Sequence, residues 1–376
     1  MAGIYIHIPF CKQACHYCDF HFSTSMHRKH DVVQAICHEI TLQQHYLSGH
    51  PIQTIYFGGG TPSLLTYTEL TQIFATLTRY FTVAPDAEIT LEANPDDLTA
   101  SKLQELKKTP VNRLSIGLQS FHEPHLRLMN RAHSAAESFM AVKMAQDAGF
   151  TSLTVDLIYG IPAPNHGIWE QDLEQVFALQ VPHVSSYALT IEPKTALGNW
   201  TKKGKFIPSE DEFVATQFEI LIAQMQANGY EQYEISNFCK PGWESRHNSN
   251  YWKGIPYLGI GPSAHSFNGS SRQYNVASNQ QYLNAINQNT LPAIVEVLSL
   301  ADQANEYLMT TLRTRWGCDL NKIKANYGFD LQLLHGHYLN KIIQKGLAQL
   351  QDQTLTLTNS GKLLADQITL DLFIAE

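Results

Sequence analysis

Short apolar runs alternate with amphipathic segments over the first half of the chain. The apolar runs predict β-strands at 4–8, 54–57, 88–92, 113–117, 153–158 and 183–187. Between them, apolar positions three and four residues apart predict helices at 32–46, 68–80, 101–107, 135–148 and 169–179. Six strands that alternate with helices indicate an α/β fold with a parallel sheet. Six strands rather than eight would form a partial, TIM-like (β/α)6 barrel, and a doubly wound open sheet is the alternative.

The pattern changes twice further along the chain. It becomes irregular and rich in Gly, Asn, Tyr and Trp from about residue 198, and helical periodicity returns at 298. The last part has the order helix, strand 347–350, turn 352–353, strand 355–357 and helix 359–368, which is typical of a winged helix. We therefore predict a core at 1–235, a connecting segment at 236–297 and a C-terminal winged-helix-like α+β unit at 298–376.

Composition indicates which kinds of binding partner are expected. The chain has 376 residues, 44% of them hydrophobic, and a net charge of -8. Residues 299–376 hold seven basic and eight acidic side chains, so nucleic acid is not an expected partner. No apolar run reaches the roughly 18 residues of a membrane helix and no secretory signal is recognisable, so we expect a cytoplasmic protein without an integral membrane segment. The low share of charged residues, 16%, is compatible with a homodimer.

Three of the six cysteines stand close together directly after the first predicted strand: Cys11, Cys15 and Cys18. Their Cys-x3-Cys-x2-Cys spacing would let one short loop hold three irons of a cubane iron–sulfur cluster. Four cysteines usually hold such a cluster. With only three, the fourth iron would keep an open coordination position, as a catalytic metal site does. The sequence thus predicts a [4Fe-4S] cluster with one open iron.

A zinc site and a haem attachment site are the alternatives for this loop. Closed zinc sites usually draw on two separated pairs of ligands, and here the fourth ligand would have to come from His7, His16 or His21. Covalent haem attachment uses Cys-x2-Cys-His, whereas His16 follows a Cys-x3-Cys. Disulfides are not expected in a reducing compartment, and the scattered cysteines are interpreted as small hydrophobic side chains: Cys37, Cys239 and Cys318.

The stretch from Tyr5 to Cys18, Tyr-Ile-His-Ile-Pro-Phe followed by the three cysteines, resembles the radical S-adenosylmethionine superfamily. The resemblance implies that the open iron binds S-adenosylmethionine, whose sulfonium is cleaved by one electron from the cluster. The glycine run after the second strand would contact the methionine part of this cofactor. Other polar residues recur with similar spacing in the coproporphyrinogen III oxidase-like branch. The candidate cofactor contacts are Tyr5, Tyr17, Gly59, Gly60, Thr61, Glu92, Gln119, Arg131 and Asp156.

A second motif lies in the irregular middle segment, as His247-Asn248-x-x-Tyr251-Trp252, and His265 follows a glycine-rich stretch. By itself this composition is typical of a packed aromatic loop. The motif also resembles the marker of the HemW haem chaperones within the same branch, and the resemblance implies haem binding at these five residues. Histidine is a common ligand of haem iron. The sequence does not decide between His247 and His265 as that ligand, and we expect the motif near the mouth of the barrel.

One position separates two neighbouring groups of this branch. Oxygen-independent coproporphyrinogen III oxidases carry a further cysteine two positions after the third cluster cysteine, where this chain has Phe20. The resemblance therefore favours a chaperone that binds haem and transfers it to haem-dependent acceptor proteins, with respiratory proteins as the expected acceptors. The alternative is an enzyme that decarboxylates coproporphyrinogen III by radical chemistry.

Overall fold

The structure of the protein is a computed structural model that describes residues 1–375. The strands are β1 Ala2–Ile8, β2 Ile52–Gly59, β3 Val83–Ala93, β4 Arg113–Gln119, β5 Ser152–Tyr159, β6 His183–Ala188, β7 Glu231–Glu234, β8 Asn237–Cys239, β9 Tyr257–Ile260, β10 His265–Phe267, β11 Ser271–Asn275, β12 Ala293–Val297, β13 Cys318–Asp319, β14 Ala348–Gln351 and β15 Thr354–Leu357.

The helices are α1 Lys29–Leu42, α2 Tyr67–Tyr80, α3 Ala100–Leu106, α4 Glu123–Leu128, α5 Ala135–Asp147, α6 Gly167–Leu179, α7 Ala196–Lys202, α8 Asp211–Ala227, α9 Arg246–Trp252, α10 Asn279–Asn287, α11 Leu300–Thr311, α12 Leu320–Tyr327, α13 Leu331–Gln344, α14 Asn359–Lys362 and α15 Ala365–Asp371. Among residues 1–375, no helix has the length and apolar character needed to cross a membrane.

The six predicted strands are confirmed as β1 to β6, which pair in parallel and in chain order. The five predicted helices correspond to α1, α2, α3, α5 and α6. Within the described residues, the sheet ends at β12 on one side and at β7 on the other, so the barrel stays open. The predicted fold, a partial parallel barrel, is confirmed.

The middle segment adds strands to both edges of this sheet. Strand β9 pairs in parallel with β1, and β10, β11 and β12 continue from it in antiparallel order. At the other edge, β8 pairs with β6 and β7 follows it. The unit boundaries at 235 and 297 stay predictions.

Alternation along the strands divides buried apolar from polar positions. On β1, the side chains of Ile4, Ile6 and Ile8 are buried in one hydrophobic core that also includes residues of α1, α2, α5 and α6. Tyr5 and His7 point to the opposite face, because successive strand residues alternate between faces. The sheet therefore has one face covered by helices and another lined with polar side chains.

The C-terminal unit has its own hydrophobic core, formed by buried residues between 301 and 374. Its small antiparallel sheet has the order β13-β15-β14. Asp352 and Gln353 both adopt positive φ, 48° and 65°, at the turn between β14 and β15, as a tight two-residue hairpin requires. Helices α11 to α15 surround this sheet, and the winged-helix-like arrangement is confirmed.

Candidate cofactor site

The three cysteines lie on the loop that follows β1, at the carboxyl end of the parallel strands. All three thiols are free and partly exposed. The loop is closed by backbone hydrogen bonds from Cys11 N to Ser23 O (3.0 Å) and from Ser23 N to Pro9 O (2.9 Å). His16 anchors its far side, since Nδ1 lies 2.8 Å from the carbonyl oxygen of Leu128. The loop is therefore held at both ends while its sulfurs stay accessible.

The glycine run after β2 packs directly against this loop. The N–H of Gly60 donates to Ile8 O (2.9 Å), and the N–H of Thr61 donates to Phe10 O (2.7 Å). Gly59 has φ of +102°, and a Cβ there would lie 2.5 Å from the His7 ring. A Cβ on Gly60 would lie 2.7 Å from two backbone oxygens. Glycine is thus required at position 59 by backbone conformation and by space, and at position 60 by space alone.

Two polar side chains contact the cysteine sulfurs. The guanidinium of Arg131 donates to Cys15 Sγ at 3.3 Å, to Asn94 Oδ1 at 2.6 Å and to the carbonyl of Gly117 at 2.7 Å. The hydroxyl of Thr61 hydrogen-bonds the thiol of Cys11 and lowers its pKa, although burial is the larger effect and raises it. Burial also raises the pKa of Cys18 to about 12. Burial is therefore the main influence at Cys11 and Cys18, while Thr61 and Arg131 act in the opposite direction and lower the pKa of Cys11.

Carboxylates from β3 and β5 face the same end of the sheet. Glu92 accepts hydrogen bonds from Tyr56 OH (2.7 Å) and from the N–H of Gly59 (3.2 Å). Burial raises the pKa of Glu92 to about 7 and that of Asp156 to about 6. Ser115 and Ser185 hydrogen-bond the Asp156 carboxylate and oppose its shift. Two carboxylates whose pKa values lie near neutrality can accept hydrogen bonds from a ligand.

The remaining candidate cofactor contacts surround the same region. Tyr5 OH lies 3.2 Å from His7 Nδ1. Tyr17 packs beside the buried Leu126 and Met129. Gln119 ends β4 in a left-handed conformation with φ of 70°, at a register shift of the strand. Six of the nine positions predicted to contact the cofactor therefore lie on the cysteine loop, on the glycine run or at the carboxyl ends of β3 and β4. Tyr5 and Asp156 lie within β1 and β5, and Arg131 lies between α4 and α5.

The donor set fits an iron–sulfur cluster better than a zinc ion. Within residues 1–375, no three His, Cys, Asp or Glu side chains are placed to hold a single metal ion. Both ring nitrogens of His7 are engaged, by Tyr5 OH and by His21 O at 2.8 Å. A cluster instead takes one thiolate for each iron, and the loop offers three. The glycine cradle, residues 59–61, packs directly beside this loop.

The second motif lies away from this site, on helix α9. His247 Nδ1 lies 2.8 Å from Thr54 Oγ1, and Nε2 lies 2.9 Å from Tyr251 OH. Thr54 pairs with Gly3 and Glu88, near the beginning of the parallel strands. The expectation that the motif lies near the mouth is therefore wrong, because α9 packs against the opposite end of β2. His247 is only 3% exposed, and neither of its nitrogens is free.

The other motif residues, Asn248, Tyr251 and Trp252, are half-buried. Asn248 donates to Tyr233 OH at 3.2 Å. The Trp252 ring lies 5.9 Å from the guanidinium of Arg313, which belongs to the C-terminal unit. The indole N–H of Trp252 has no hydrogen-bond partner among the described residues. The motif thus packs between the sheet and the C-terminal unit.

His265 lies at the same end of the sheet as the cysteines. Strand β9 runs parallel to β1, and the loop after it passes so close that a Cβ on Gly261 would lie 2.5 Å from His7 O. The exposed imidazole of His265 stacks on Tyr274 with ring centroids 5.5 Å apart. In the part of the chain that the structure describes, its ring nitrogens make no hydrogen bond. Of the two candidate haem ligands, His265 is the accessible one.

Two supporting residues did not emerge from the sequence. Asn94 bridges Arg131 and Thr61, and Tyr56 holds Glu92. Asn94 lies two positions after the predicted contact Glu92, a spacing at which strand residues share a face and which could have identified it. Tyr56 lies three positions before Gly59, and no spacing from the predicted contacts indicates it.

Comparison with known proteins agrees with this geometry. The model of the radical SAM superfamily matches residues 5–176, and the model of the HemN C-terminal domain matches residues 298–364. The solved structure of coproporphyrinogen III oxidase (HemN) from Escherichia coli superposes on this chain with a TM-score of 0.86 at 22% identity, covering 99% of this chain and 90% of that chain. This likeness shows the fold. Fold and cysteine loop together define a radical SAM protein.

Curated relatives show to which family of radical SAM proteins the chain belongs. The heme chaperone HemW of Bacillus subtilis is 34% identical over 371 residues, which cover 98% of each chain. The heme chaperone HemW of Escherichia coli is 38% identical over 265 residues, covering 70% of this chain and 69% of that protein. The chain belongs to the HemW family.

Proposed function

We propose that this protein is a haem chaperone that binds haem and transfers it to haem-dependent acceptor proteins. The single observation that carries the proposal is the similarity to proteins named heme chaperone HemW over 98% of the chain. That range includes the cysteine loop, the α9 motif and the C-terminal unit. A protein that shared only the barrel would support a radical SAM fold and nothing more.

We infer that Cys11, Cys15 and Cys18 hold a [4Fe-4S] cluster whose open iron takes S-adenosylmethionine. When bound, the two cofactors supply one-electron chemistry that amino-acid side chains lack. The chain contributes positioning. Arg131 donates a hydrogen bond to one cysteine sulfur, and Glu92 offers carboxylate oxygens at the adjacent strand end.

Haem is proposed to bind at the cysteine end of the sheet, with His265 as the iron ligand. His265 is exposed and stacks on Tyr274, so a planar macrocycle can approach its imidazole. Coordination by His247 would require the loss of its hydrogen bonds to Thr54 and Tyr251. The exposed Phe20, next to the cysteine loop, offers an apolar face at the same end.

The cellular setting is part of the proposal. Three thiols must stay reduced until a cluster is assembled, which favours the cytoplasm. We propose acceptors among the haem proteins of the respiratory chain, and a homodimer as the working form. The exposed apolar side chains of edge strand β12 are compatible with such an interface: Ile294, Val295 and Val297.

Haem transfer tests the proposal. The reconstituted protein is loaded anaerobically with haem, freed of excess haem by desalting, and mixed with membranes that contain a haem-free b-type respiratory enzyme. The expected result is the appearance of the acceptor's own haem absorbance, at a higher rate than with the same amount of free haem. Haem that stays on the protein, or that reaches the acceptor no faster than free haem does, would contradict the proposal.

An oxidase is the second candidate, favoured by the superposition with the solved coproporphyrinogen III oxidase. Phe20 stands where those oxidases carry a further cysteine, and its ring is 67% exposed beside the loop. Incubation with coproporphyrinogen III, S-adenosylmethionine and a reductant distinguishes the two. Multiple turnovers to the divinyl product would establish the enzyme, and we expect none.

A further inference from the structure

We infer that His247 supports the cofactor site from inside the protein, by holding Tyr56 and through it Glu92. The motif that marks the family would then act as a positioning device for S-adenosylmethionine rather than as a haem ligand. This inference deepens the proposed function and rests on it, because it assumes that Glu92 contacts the cofactor.

Helix α9 holds His247 in one orientation. Its first turn is fixed on β3, since the Glu88 carboxylate accepts hydrogen bonds from the N–H groups of Arg246 (3.0 Å) and His247 (2.8 Å). The imidazole is then fixed at both nitrogens, by Thr54 and by Tyr251. A ring with hydrogen bonds at both nitrogens has little freedom to rotate.

Burial keeps this imidazole uncharged. It lowers the pKa of His247 to about 3, so the ring is neutral at physiological pH. A neutral imidazole donates through one nitrogen and accepts through the other, and the hydroxyls of Thr54 and Tyr251 can each take either role. Gly3 leaves room for this arrangement, because a Cβ there would lie 2.8 Å from Thr54 Oγ1 and 3.5 Å from the His247 ring.

The His247 ring stacks on Tyr56. Their centroids lie 5.0 Å apart with an interplanar angle of 22°, and Tyr5 stacks with the same tyrosine at 6.1 Å and 23°. Thr54 and Tyr56 share one face of β2, so α9 contacts that face at both positions. His247 therefore fixes the plane of the Tyr56 ring and with it the direction of its hydroxyl.

The Tyr56 hydroxyl determines where Glu92 points. It donates to Glu92 Oε1 at 2.7 Å, while the N–H of Gly59 donates to Oε2 at 3.2 Å. One carboxylate oxygen is thus held from the α9 side and the other from the glycine run. Loss of the tyrosine contact would leave a buried carboxylate with one protein partner and a wider range of side-chain rotamers. The chain His247–Tyr56–Glu92–Gly59 spans from the motif to the cofactor cradle.

Three variants test this chain of contacts. Tyr56→Phe keeps the ring and removes the hydroxyl that holds Glu92. His247→Phe keeps an aromatic ring but loses both hydrogen bonds, and His247→Gln can restore one of them. Tyr230→Phe is the matched control, because it removes a buried hydroxyl bonded to the carbonyl of Val181 at 2.6 Å, remote from the cysteines. Far-UV circular dichroism and thermal unfolding select the variants that remain folded.

The first measurement is the dissociation constant of S-adenosylmethionine for the reconstituted protein. The second is the change in the electron paramagnetic resonance spectrum of the reduced cluster when S-adenosylmethionine is added. The third is a haem titration. We expect Tyr56→Phe and His247→Phe to weaken S-adenosylmethionine binding about tenfold, as a lost hydrogen bond to a charged group does, with His247→Gln between them and the wild type. Haem affinity should stay within about twofold of the Tyr230→Phe control.

The outcomes separate the inference from the proposed function. If the wild type binds no S-adenosylmethionine, the proposed cofactor site itself is wrong. If the wild type binds it and folded Tyr56→Phe binds it equally well, the positioning role is wrong. If His247→Phe loses haem binding and keeps S-adenosylmethionine affinity, His247 is a haem ligand and the inference is overturned.

Discussion

Arg131 reaches across 116 residues of sequence to the sulfur of Cys15, with Nη1 3.3 Å from Sγ. Its second nitrogen is held by Asn94 and by the Gly117 carbonyl, so the guanidinium has little freedom to move away. A cation that hydrogen-bonds a ligating sulfur stabilises the reduced, more negative state of a cluster.

Removal of this cation should therefore make the cluster harder to reduce. We expect Arg131→Gln to lower the midpoint potential by on the order of 60 mV, equivalent to about 1.4 kcal/mol for one electron. Redox titration followed by electron paramagnetic resonance measures this shift. Arg127→Gln is the control, because Arg127 lies on the preceding helix with its side chain 72% exposed. Equal potentials in the two variants would show that Arg131 does not act on the cluster.

Gly59 should tolerate no side chain. Gly59→Ala places a methyl group 2.5 Å from the His7 ring at a φ of +102°, so β1 and the cysteine loop would have to move. We expect less than half of the wild-type iron after reconstitution. Gly269→Ala is the control, because Gly269 has the same φ of +102° but an added Cβ there would have no atom within 4 Å. It therefore shows the effect of backbone strain without a steric clash. Wild-type iron content in Gly59→Ala would argue against the cradle.

S-adenosylmethionine affinity should depend on pH through Glu92. Burial raises the pKa of this carboxyl to about 7 in the free protein, and only the ionised form accepts hydrogen bonds through both oxygens. Binding should therefore strengthen about tenfold between pH 6 and pH 8, as the carboxyl loses its proton. Calorimetric titration at several pH values checks this. In Glu92→Gln the binding should be weaker and its pH dependence lost, and an unchanged dependence would exclude Glu92 as the cause.

The three loop cysteines should all be needed for the cluster. Single changes of Cys11, Cys15 or Cys18 to Ala should abolish the broad visible absorbance after anaerobic reconstitution, because each iron depends on its own thiolate. Cys37→Ala is the control, since this buried thiol lies on α1 within the hydrophobic core. Full cluster absorbance in any of the three variants would show that the assignment of the ligands is wrong.

Glu39 should give the folded protein a pH-dependent stability. Its carboxylate accepts hydrogen bonds from Tyr282 OH, Gly261 N and Asn275 Nδ2, yet burial raises its pKa from 4.5 to about 7. Between pH 4.5 and 7 the folded state holds a proton that the unfolded state has released. The free energy of unfolding should therefore fall as pH rises through this range, by at most about 3 kcal/mol, and level off above pH 7.

Urea unfolding from pH 4.5 to 8 measures this effect. Glu39→Gln has no titrating carboxyl and should show a flatter profile, whereas Asp31→Asn, on the exposed part of the same helix, should follow the wild type. Parallel profiles for Glu39→Gln and the wild type would show that Glu39 makes no such contribution.

The parallel strands could be predicted because each is buried and therefore apolar over several residues. Strand β11, by contrast, has the sequence Ser-Arg-Gln-Tyr-Asn, which lacks both an apolar run and a strict alternation. Strand β9 pairs with β1 across more than 250 residues, and local patterns carry no information about such pairings. The added edge strands therefore emerged only from the structure.

The candidate site also has a part that the sequence predicts and a part that only the structure shows. Cys11, Cys15 and Gly59 lie in short motifs, so their proximity follows from the loops after two neighbouring strands. The position of His247 depends on which end of the sheet receives α9, and nothing in the motif specifies that. Buried polar contacts such as those to Thr54 and Glu88 decide it in the folded protein.

Haem titration of the cluster-reconstituted wild-type protein under anaerobic conditions, followed by the Soret absorbance, tests the chaperone function most directly. Saturable binding of about one haem per chain, weakened at least tenfold in His265→Ala, is the predicted result. Haem absorbance that rises without saturation, as with non-specific association, would contradict haem binding as the function of this protein.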